Sequence, residues 1–234
     1  MYLVDKIVVV TGAGGGLGKP LAEAFAYKGA QVIAVDSSRT KLDKSFDSSN
    51  PLIKTVELDL LDEMMTINIL LQIEKEFEKI DILCAVAGGF DMGYKVHETP
   101  TESWESMLDV NIRTLLNTIK AITPGMVKRG AGKIITIGAN AAKAGMPDMG
   151  AYCAAKSAVM RLTESMALEL RPRGINVNCL LPSVIDTKAN RDAMPNLDPK
   201  KWVDPNDLSA VAIFLASPEA SAIHGALIPV VGLS

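Results

Sequence analysis

Short runs of apolar, often β-branched residues alternate with longer segments whose apolar residues recur at helical spacing. A short continuous apolar run is typical of a strand that is buried on both faces, and the longer period indicates amphipathic helices. The runs predict strands at Ile7–Thr11, Gln31–Val35, Leu52–Leu58, Ile80–Val86, Ile134–Ile137, Ile175–Leu181 and Ala226–Val231. The periodic segments predict helices at Leu17–Lys28, Met64–Phe77, Trp104–Met126, Tyr152–Leu170 and Pro205–Ala216.

This alternation predicts an α/β fold: one doubly wound domain over residues 1–234, with a mostly parallel sheet of seven strands and helices on both faces. The chain shows neither an internal repeat nor a linker-like stretch. Its least regular segment, Ser183–Pro205, follows a predicted strand and therefore lies at the carboxyl edge of the sheet, where such folds bind ligands. We expect this segment to close a substrate pocket.

Composition and charge exclude several classes of function. The net charge is −3 without a basic block, so we expect neither nucleic acid nor an anionic membrane as a partner. No apolar stretch reaches the roughly 20 residues that span a bilayer, and the N-terminus lacks a signal-peptide layout. Three separated cysteines suggest reduced thiols and a cytoplasmic location. The two histidines, His97 and His224, have no companion ligands at metal-binding spacing, so no metal is expected.

A glycine-rich turn, T-G-A-G-G-G-L-G from Thr11, follows the first predicted strand and opens the first predicted helix. Glycines allow positive φ and a close approach of backbone amides to a pyrophosphate, and the helix N-terminus adds positive potential. This context predicts a dinucleotide site. The residues predicted to bind the cofactor here are Gly12, Gly14, Gly16, Leu17 and Gly18.

Asp36 ends the second predicted strand, where its carboxylate would accept hydrogen bonds from the adenosine ribose and repel a 2′-phosphate. This position favours NAD(H) over NADP(H). Arg39 follows closely, and pairing with a phosphate would keep NADP(H) open as an alternative.

Tyr152 and Lys156 stand four residues apart in a predicted helix, so they share one face of it. A nearby ammonium stabilises an ionised phenol and is expected to lower its pKa from about 10. Hydride addition to a carbonyl carbon needs a proton at the oxygen, and Tyr152 is the predicted acid/base for that step. The predicted reaction is hydride transfer between a nicotinamide and a small carbonyl or alcohol substrate.

The glycine turn, Asp36 and Tyr-x-x-x-Lys, in this order and spacing, resemble the short-chain dehydrogenase/reductase family over essentially the whole chain. The resemblance implies a Rossmann-like fold and a homo-oligomer, either a dimer or a tetramer. It also implies that Asn111 organises the proton relay and that Lys156 contacts the nicotinamide ribose. The cofactor contacts that it adds are Asp59, Leu60, Ala87, Gly88, Tyr152, Lys156, Pro182, Ile185 and Thr187.

One residue of that family pattern is missing. The family's catalytic serine precedes the tyrosine by thirteen residues, and this position holds Ala139. The missing serine, with Ala85 and Val86 in place of an asparagine pair, is similar to the dihydropteridine reductase branch, whereas the surroundings of Asn111 resemble the 3-oxoacyl-carrier-protein reductases. Ser183 also replaces a family glycine.

The alanine leaves three explanations open. The substrate needs less polarisation, as a quinonoid dihydropterin would; or Asn140 or a water replaces the hydroxyl; or activity on simple ketones is weak. A protein of another class, an NAD(H)-binding sensor without turnover, is a further alternative. Four apolar residues are either pocket lining or ordinary core, namely Phe90, Met146, Met149 and Ile185.

Overall fold

The computed structural model describes residues 3–234, and its centre is a seven-stranded sheet in which all neighbouring strands are parallel. The strand order is β3-β2-β1-β4-β5-β6-β7. The predicted doubly wound fold with a seven-stranded sheet is therefore confirmed. The strands are β1 (Ile7–Thr11), β2 (Gln31–Asp36), β3 (Ile53–Glu57), β4 (Ile82–Ala85), β5 (Gly132–Ile137), β6 (Ile175–Pro182) and β7 (Leu227–Val230).

Helices cover both faces of the sheet. They are α1 (Gly18–Tyr27), α2 (Arg39–Ser45), α3 (Glu63–Glu76), α4 (Thr101–Leu108), α5 (Thr114–Arg129), α6 (Gly150–Leu170), α7 (Lys188–Ala193) and α8 (Pro205–Ala216). The first core cluster contains buried residues of α1, α2 and α8, and the second contains those of α3, α5 and α6. Each cluster fills the space between the sheet and one layer of helices.

Strand β1 shows why the hydrophobic runs are continuous. Val8 and Val10 belong to the first core cluster, while Ile7 and Val9 belong to the second. Successive side chains of a strand point to opposite faces, so a strand between two helix layers needs an apolar residue at every position. All five residues of β1 are buried.

The sheet reverses its winding between β1 and β4, and this reversal positions the site. From β1 the chain moves to β2 and β3 on one side, and then returns to β4 on the other. Connections that leave in opposite directions open a crevice at the carboxyl ends of the two strands, which is where open α/β sheets bind ligands. Gly12 follows β1 at this point, and Ala87 lies just beyond β4.

The predicted helix Trp104–Met126 is helical throughout, but a π-helical turn, Asp109–Arg113, divides it into α4 and α5. The side-chain amide of Asn111 donates to the Met107 carbonyl at 3.0 Å, the acceptor that the Asn111 backbone amide would use in an α-helix. The side chain thus competes with the backbone and widens the turn.

Two short helices, α2 and α7, were not predicted. The side chains of Ser38 and Thr187 cap their N-termini by accepting from the amides of Lys41 and Asn190. Helices this short display too few turns for a hydrophobic period to be visible in the sequence. Helix α7 lies inside the segment that was expected to be an irregular loop.

Candidate active site

The glycine-rich turn lies at the winding reversal and is held in shape by close backbone contacts. Gly12 has a φ of +63°, and a Cβ there would lie 2.9 Å from the Ala87 Cα. A Cβ on Gly18 would lie 2.2 Å from the Gly12 carbonyl oxygen. No side chain caps the N-terminus of α1 at Leu17. The turn therefore leaves helix amides to an incoming anion and admits only glycine at its closest contacts.

Across the crevice, Gly16 faces the segment that follows β6. A Cβ on Gly16 would lie 2.7 Å from the Thr187 Cγ2. Pro182 pairs with Val230 at the end of β6, and Ile185 makes a parallel bridge with Val203. The structure thus brings Thr187 to the glycine turn. Ile185 packs partly buried against the first core cluster, between the pocket and the core.

Asp36 lies at the end of β2 with both carboxylate oxygens in hydrogen bonds. Oδ2 accepts from the Gly14 amide and Oδ1 from the Ser38 amide, each at 3.0 Å. The carboxylate is buried and joins the second strand to the glycine turn. An ionised carboxylate has about four acceptor positions, so two stay free for ribose hydroxyls.

The Arg39 side chain is paired with residues of β3. Its guanidinium donates to the Thr55 hydroxyl at 3.1 Å and pairs with Glu57 at 3.4 Å. It therefore does not form a ready phosphate site beside Asp36, and the negative carboxylate dominates this end of the crevice. The geometry suits an unphosphorylated ribose.

Asp59 and Leu60 follow β3. Asp59 is exposed, and its carboxylate accepts from the Leu61 amide at 2.9 Å. The Leu60 side chain lies in the second core cluster, and its carbonyl accepts from Asn117 at 2.9 Å. Asp59 thus remains accessible to an adenine, whereas the polar and apolar groups of Leu60 are already used within the protein.

The residues after β4 are held by a threonine at the end of β1. The Thr11 hydroxyl accepts from the amides of Val86 and Ala87 at 3.0 and 3.1 Å. This contact ties the two crevice-forming loops together. Ala87 and the exposed Gly88 consequently line the crevice opposite the glycine turn.

Asn111 and Lys156 converge on Gly88 from different helices. The Lys156 ammonium is buried and donates to the Ile137 carbonyl at 2.9 Å. The Asn111 amide exchanges hydrogen bonds with the Gly89 backbone, each at 3.2 Å. A Cβ on Gly88 would lie 2.8 Å from the Asn111 Oδ1 and 3.1 Å from the Lys156 Nζ. The structure therefore brings these two predicted residues together.

Tyr152 lies one turn before Lys156 on α6, as the spacing predicted. Burial raises the pKa of Tyr152 to about 12, with a further contribution from Cys153. Burial lowers the pKa of Lys156 to about 8, and Cys179 partly opposes this. The expectation that Lys156 lowers the pKa of the phenol is wrong for this structure, because desolvation of the phenol dominates. Tyr152 is consequently a protonated donor at neutral pH.

Ala139 is buried and offers no side-chain donor. It belongs to a cluster with Met160 and Leu181, and Tyr152 packs against this cluster. The Thr136 hydroxyl does not substitute, because it is bonded to Thr163 at 2.6 Å. Among residues 3–234, no group hydrogen-bonds the Tyr152 hydroxyl. Although it has no partner, this oxygen is not fully buried. The hydroxyl is thus open to a small molecule.

Sequence reasoning missed two groups that shape the site. The Ile137 carbonyl holds Lys156, and the Thr11 hydroxyl holds the loop after β4. A backbone carbonyl is present in every residue type, so the sequence could not indicate that Ile137 accepts from Lys156. Thr11 does precede the glycine turn, but its partners lie about 75 residues away along the chain.

The remaining predictions concern metals, thiols and membranes. Across residues 3–234, no cluster of three or more His, Cys, Asp or Glu side chains is arranged to hold a metal ion. Cys84, Cys153 and Cys179 are buried free thiols. None of the helices in this part of the chain is both long and apolar enough to cross a bilayer.

Comparison with known proteins gives one consistent result. The family model for short chain dehydrogenases matches residues 6–198. An NAD-dependent glycerol dehydrogenase of Listeria innocua is 32% identical over 95% of this chain and 91% of its own. The 3-oxoacyl-(acyl-carrier-protein) reductase FabG of Vibrio cholerae is 32% identical over 99% of this chain and 98% of its own.

Solved structures agree with these relatives. An NAD+-bound xylitol dehydrogenase superposes with a TM-score of 0.91 at 26% identity, covering 99% of this chain and 100% of its own. A carveol dehydrogenase from Mycobacterium avium in complex with NAD has a TM-score of 0.90 at 27% identity, covering 99% and 98%.

Proposed function

The chain belongs to the short chain dehydrogenase family, and on that premise we propose that it is an NAD(H)-dependent oxidoreductase in which Tyr152 is the acid/base. The substrate is a small ketone or the corresponding secondary alcohol. The observation that carries the proposal is the unpartnered Tyr152 hydroxyl on α6, one helical turn before Lys156, which meets Asn111 at Gly88.

The residues present fit a dinucleotide. The glycine turn is a cradle that a Cβ would fill at Gly16 and Gly18, and α1 offers uncapped amides to a pyrophosphate. Asp36 would accept from the adenosine ribose, and Asp59 would contact the adenine. Thr187 would close the crevice from the opposite side. When bound, the nicotinamide supplies a hydride, so that ketone, NADH and a proton give alcohol and NAD+.

Tyr152 donates the proton in the direction of reduction. The phenol is protonated at neutral pH, as burial raises its pKa to about 12, and it can donate because the alkoxide that forms is a much stronger base than the phenolate. In the direction of oxidation the phenolate must accept a proton, and a positive charge nearby stabilises it. The Lys156 ammonium is the cationic side chain one turn away.

Lys156 and Asn111 serve as positioning and proton-relay residues. The Ile137 carbonyl fixes the Lys156 ammonium, and the π-helical turn holds Asn111 against Gly89. With a pKa of about 8, Lys156 exchanges protons near neutral pH more easily than an ordinary lysine. A water held by Asn111 would link it to solvent.

NAD(H) is the proposed cofactor because of the charge at the ribose end. The buried Asp36 carboxylate would repel a 2′-phosphate, and Arg39 is already paired with Glu57. Relatives and structural neighbours named as NAD-dependent or NAD-bound support the same choice.

The experiment is steady-state oxidation of NADH and of NADPH against a panel of carbonyl substrates. The panel contains simple ketones, a 3-oxoacyl thioester, ketoses and a quinonoid dihydropterin. We expect NADH-dependent turnover of ketones. Turnover confined to the dihydropterin would place the chain with the dihydropteridine reductases, whereas NADH binding without turnover of any substrate would make it a sensor.

A further inference from the structure

A patch of mostly exposed apolar side chains lies on the segments after β4 and before α6, and one of its members, Phe90, contacts Tyr152. We call it the apolar mouth. The Phe90 ring lies edge-to-face on the Tyr152 ring, with centroids 4.8 Å apart, although Phe90 itself is 56% exposed. The members of the apolar mouth are Phe90, Met92, Tyr94, Val96, Met146 and Met149.

Backbone contacts join these side chains into one surface. Tyr94 bridges Met149 in parallel, and the Gly93 amide donates to the Asp148 carbonyl at 2.8 Å. A Cβ on Gly150 would lie 2.8 Å from the Val96 Cγ2, so the segment after β4 packs across the start of α6. The apolar mouth is therefore formed by two segments, residues 90–96 and 146–149. The first contacts Tyr152 through Phe90, and the second continues into α6, which carries Tyr152.

Exposure of this extent is costly unless a ligand covers the surface. Met92 and Val96 are 54% and 65% exposed, and covering the remaining apolar surface of such side chains is favourable. Large exposed apolar patches on a single chain mark binding sites. Because this one is continuous with the proposed proton donor, its occupant is the substrate.

The charged and polar groups near the apolar mouth further restrict the class of substrate that can bind. The first segment carries Asp91 and Lys95. Lys143 and Asp148 lie just before and within the second, so the charges balance and the apolar mouth offers no net charge to an ionic substrate. Ala139, in the buried cluster against which the phenol packs, offers no side-chain hydrogen bond. A substrate with several hydroxyls would bury them against apolar side chains without partners, which is unfavourable.

We infer that the substrate is an uncharged ketone, or its secondary alcohol, that carries an aryl or alkyl group, and that it is not a polyol or a ketose. The inference rests on the proposed function and specifies its substrate class. The proposed substrate class differs from the polyols in the names of two relatives, a glycerol dehydrogenase and a galactitol dehydrogenase. Phe90 and Met92 are its specificity-determining residues.

The test compares acetophenone and 2-octanone with dihydroxyacetone and fructose, using NADH and the full chain. We expect kcat/KM for the two apolar ketones to exceed that for the ketoses by about 100-fold, since each buried methylene contributes about 0.8 kcal/mol. Phe90→Ala and Met92→Ala should each lower kcat/KM for the apolar ketones by about tenfold, mainly through KM. Each substitution should change kcat/KM for dihydroxyacetone by a smaller factor, so that the preference for apolar ketones over ketoses falls.

Phe214→Ala and Met64→Ala are matched controls, because both remove an exposed side chain outside the apolar mouth. Neither should alter any kcat/KM. A preference for ketoses would overturn the inference and leave the proposed function standing. If Phe90→Ala and Met92→Ala changed the sedimentation mass without changing kcat/KM, the patch would belong to a second copy of the chain. Absence of turnover on every ketone would overturn the proposed function and this inference with it.

Discussion

Ala139 lies in the buried cluster against which Tyr152 packs, at the position where the family pattern has a serine. A donor aimed at a developing oxyanion contributes about 3 kcal/mol in comparable sites. In the proposed mechanism its absence leaves Tyr152 to meet the carbonyl oxygen. Asn140, which follows in the chain and is partly exposed, is the neutral side chain available to replace the donor.

Restoring the hydroxyl should increase activity. We predict that Ala139→Ser raises kcat/KM for simple ketones by about tenfold or more, because the new hydroxyl polarises the carbonyl. Ala142→Ser, in the same buried cluster, is the matched control and should give no increase. The measurement is steady-state NADH oxidation, and equal rates for wild type and Ala139→Ser would show that another donor already occupies this role.

The proposed role of Asp36 in cofactor preference rests on a single charge. Asp36→Asn keeps an oxygen for one backbone amide but removes the negative charge, so the ratio of kcat/KM for NADH to that for NADPH should fall by about tenfold or more. Asp47→Asn is a matched control, because Asp47 likewise accepts from an amide two residues on, in an exposed turn. An unchanged ratio for Asp36→Asn would refute the ribose role.

At the scale of elements, the active site is assembled where β4, α5 and α6 meet. The π-helical turn before α5 directs Asn111 to the backbone of Gly89, and α6 brings Lys156 to the end of β5. None of these elements contains the site alone. Small displacements of these elements should therefore lower catalytic activity before they lower the stability of the fold.

A substitution at Gly88 tests how closely these elements must pack. A Cβ there would lie 2.8 Å from the Asn111 Oδ1, so Gly88→Ala should displace the relay and lower kcat by about tenfold or more while changing the thermal midpoint little. At Gly145 a Cβ would meet nothing within 4 Å, which makes Gly145→Ala the control. Full activity of Gly88→Ala would mean that Asn111 and Lys156 are not organised as proposed.

The sequence predicted the elements whose signals are local. The strands were visible because burial on both faces requires continuous apolar runs, and the Tyr152–Lys156 pair because both lie on one helix. The π-helical turn was not visible, because it depends on the Asn111 side chain taking the Met107 carbonyl from the backbone, which the hydrophobic period does not indicate. The raised pKa of Tyr152 was also missed, because desolvation depends on the whole packed cluster.

At the scale of the molecule, two helix layers enclose one sheet, and the crevice opens at its carboxyl edge. The homo-oligomer that the family resemblance implies stays a prediction. Exposed Leu108 and Leu168, on α4 and α6, are consistent with contacts between copies. The cytoplasmic location likewise stays a prediction.

Burial of Lys156 lowers global stability at neutral pH. Its pKa is about 8 in the folded state against 10.5 for an ordinary lysine, so between these values the unfolded state binds more protons and stability rises with pH. Relative to Lys156→Met, wild type should gain on the order of 2 kcal/mol from pH 7 to pH 10.5. Urea unfolding of both proteins measures this, and a pH-independent difference would contradict it.

The most direct test of the central claim is NADH oxidation by Tyr152→Phe, measured together with NADH binding by fluorescence. We predict that kcat for ketone reduction falls by about a thousandfold or more, since the proton donor is gone, while the Kd for NADH changes little. Tyr27→Phe, at a fully solvent-facing tyrosine on α1, should retain full activity. Substantial turnover by Tyr152→Phe would contradict the assignment of Tyr152 as the acid/base.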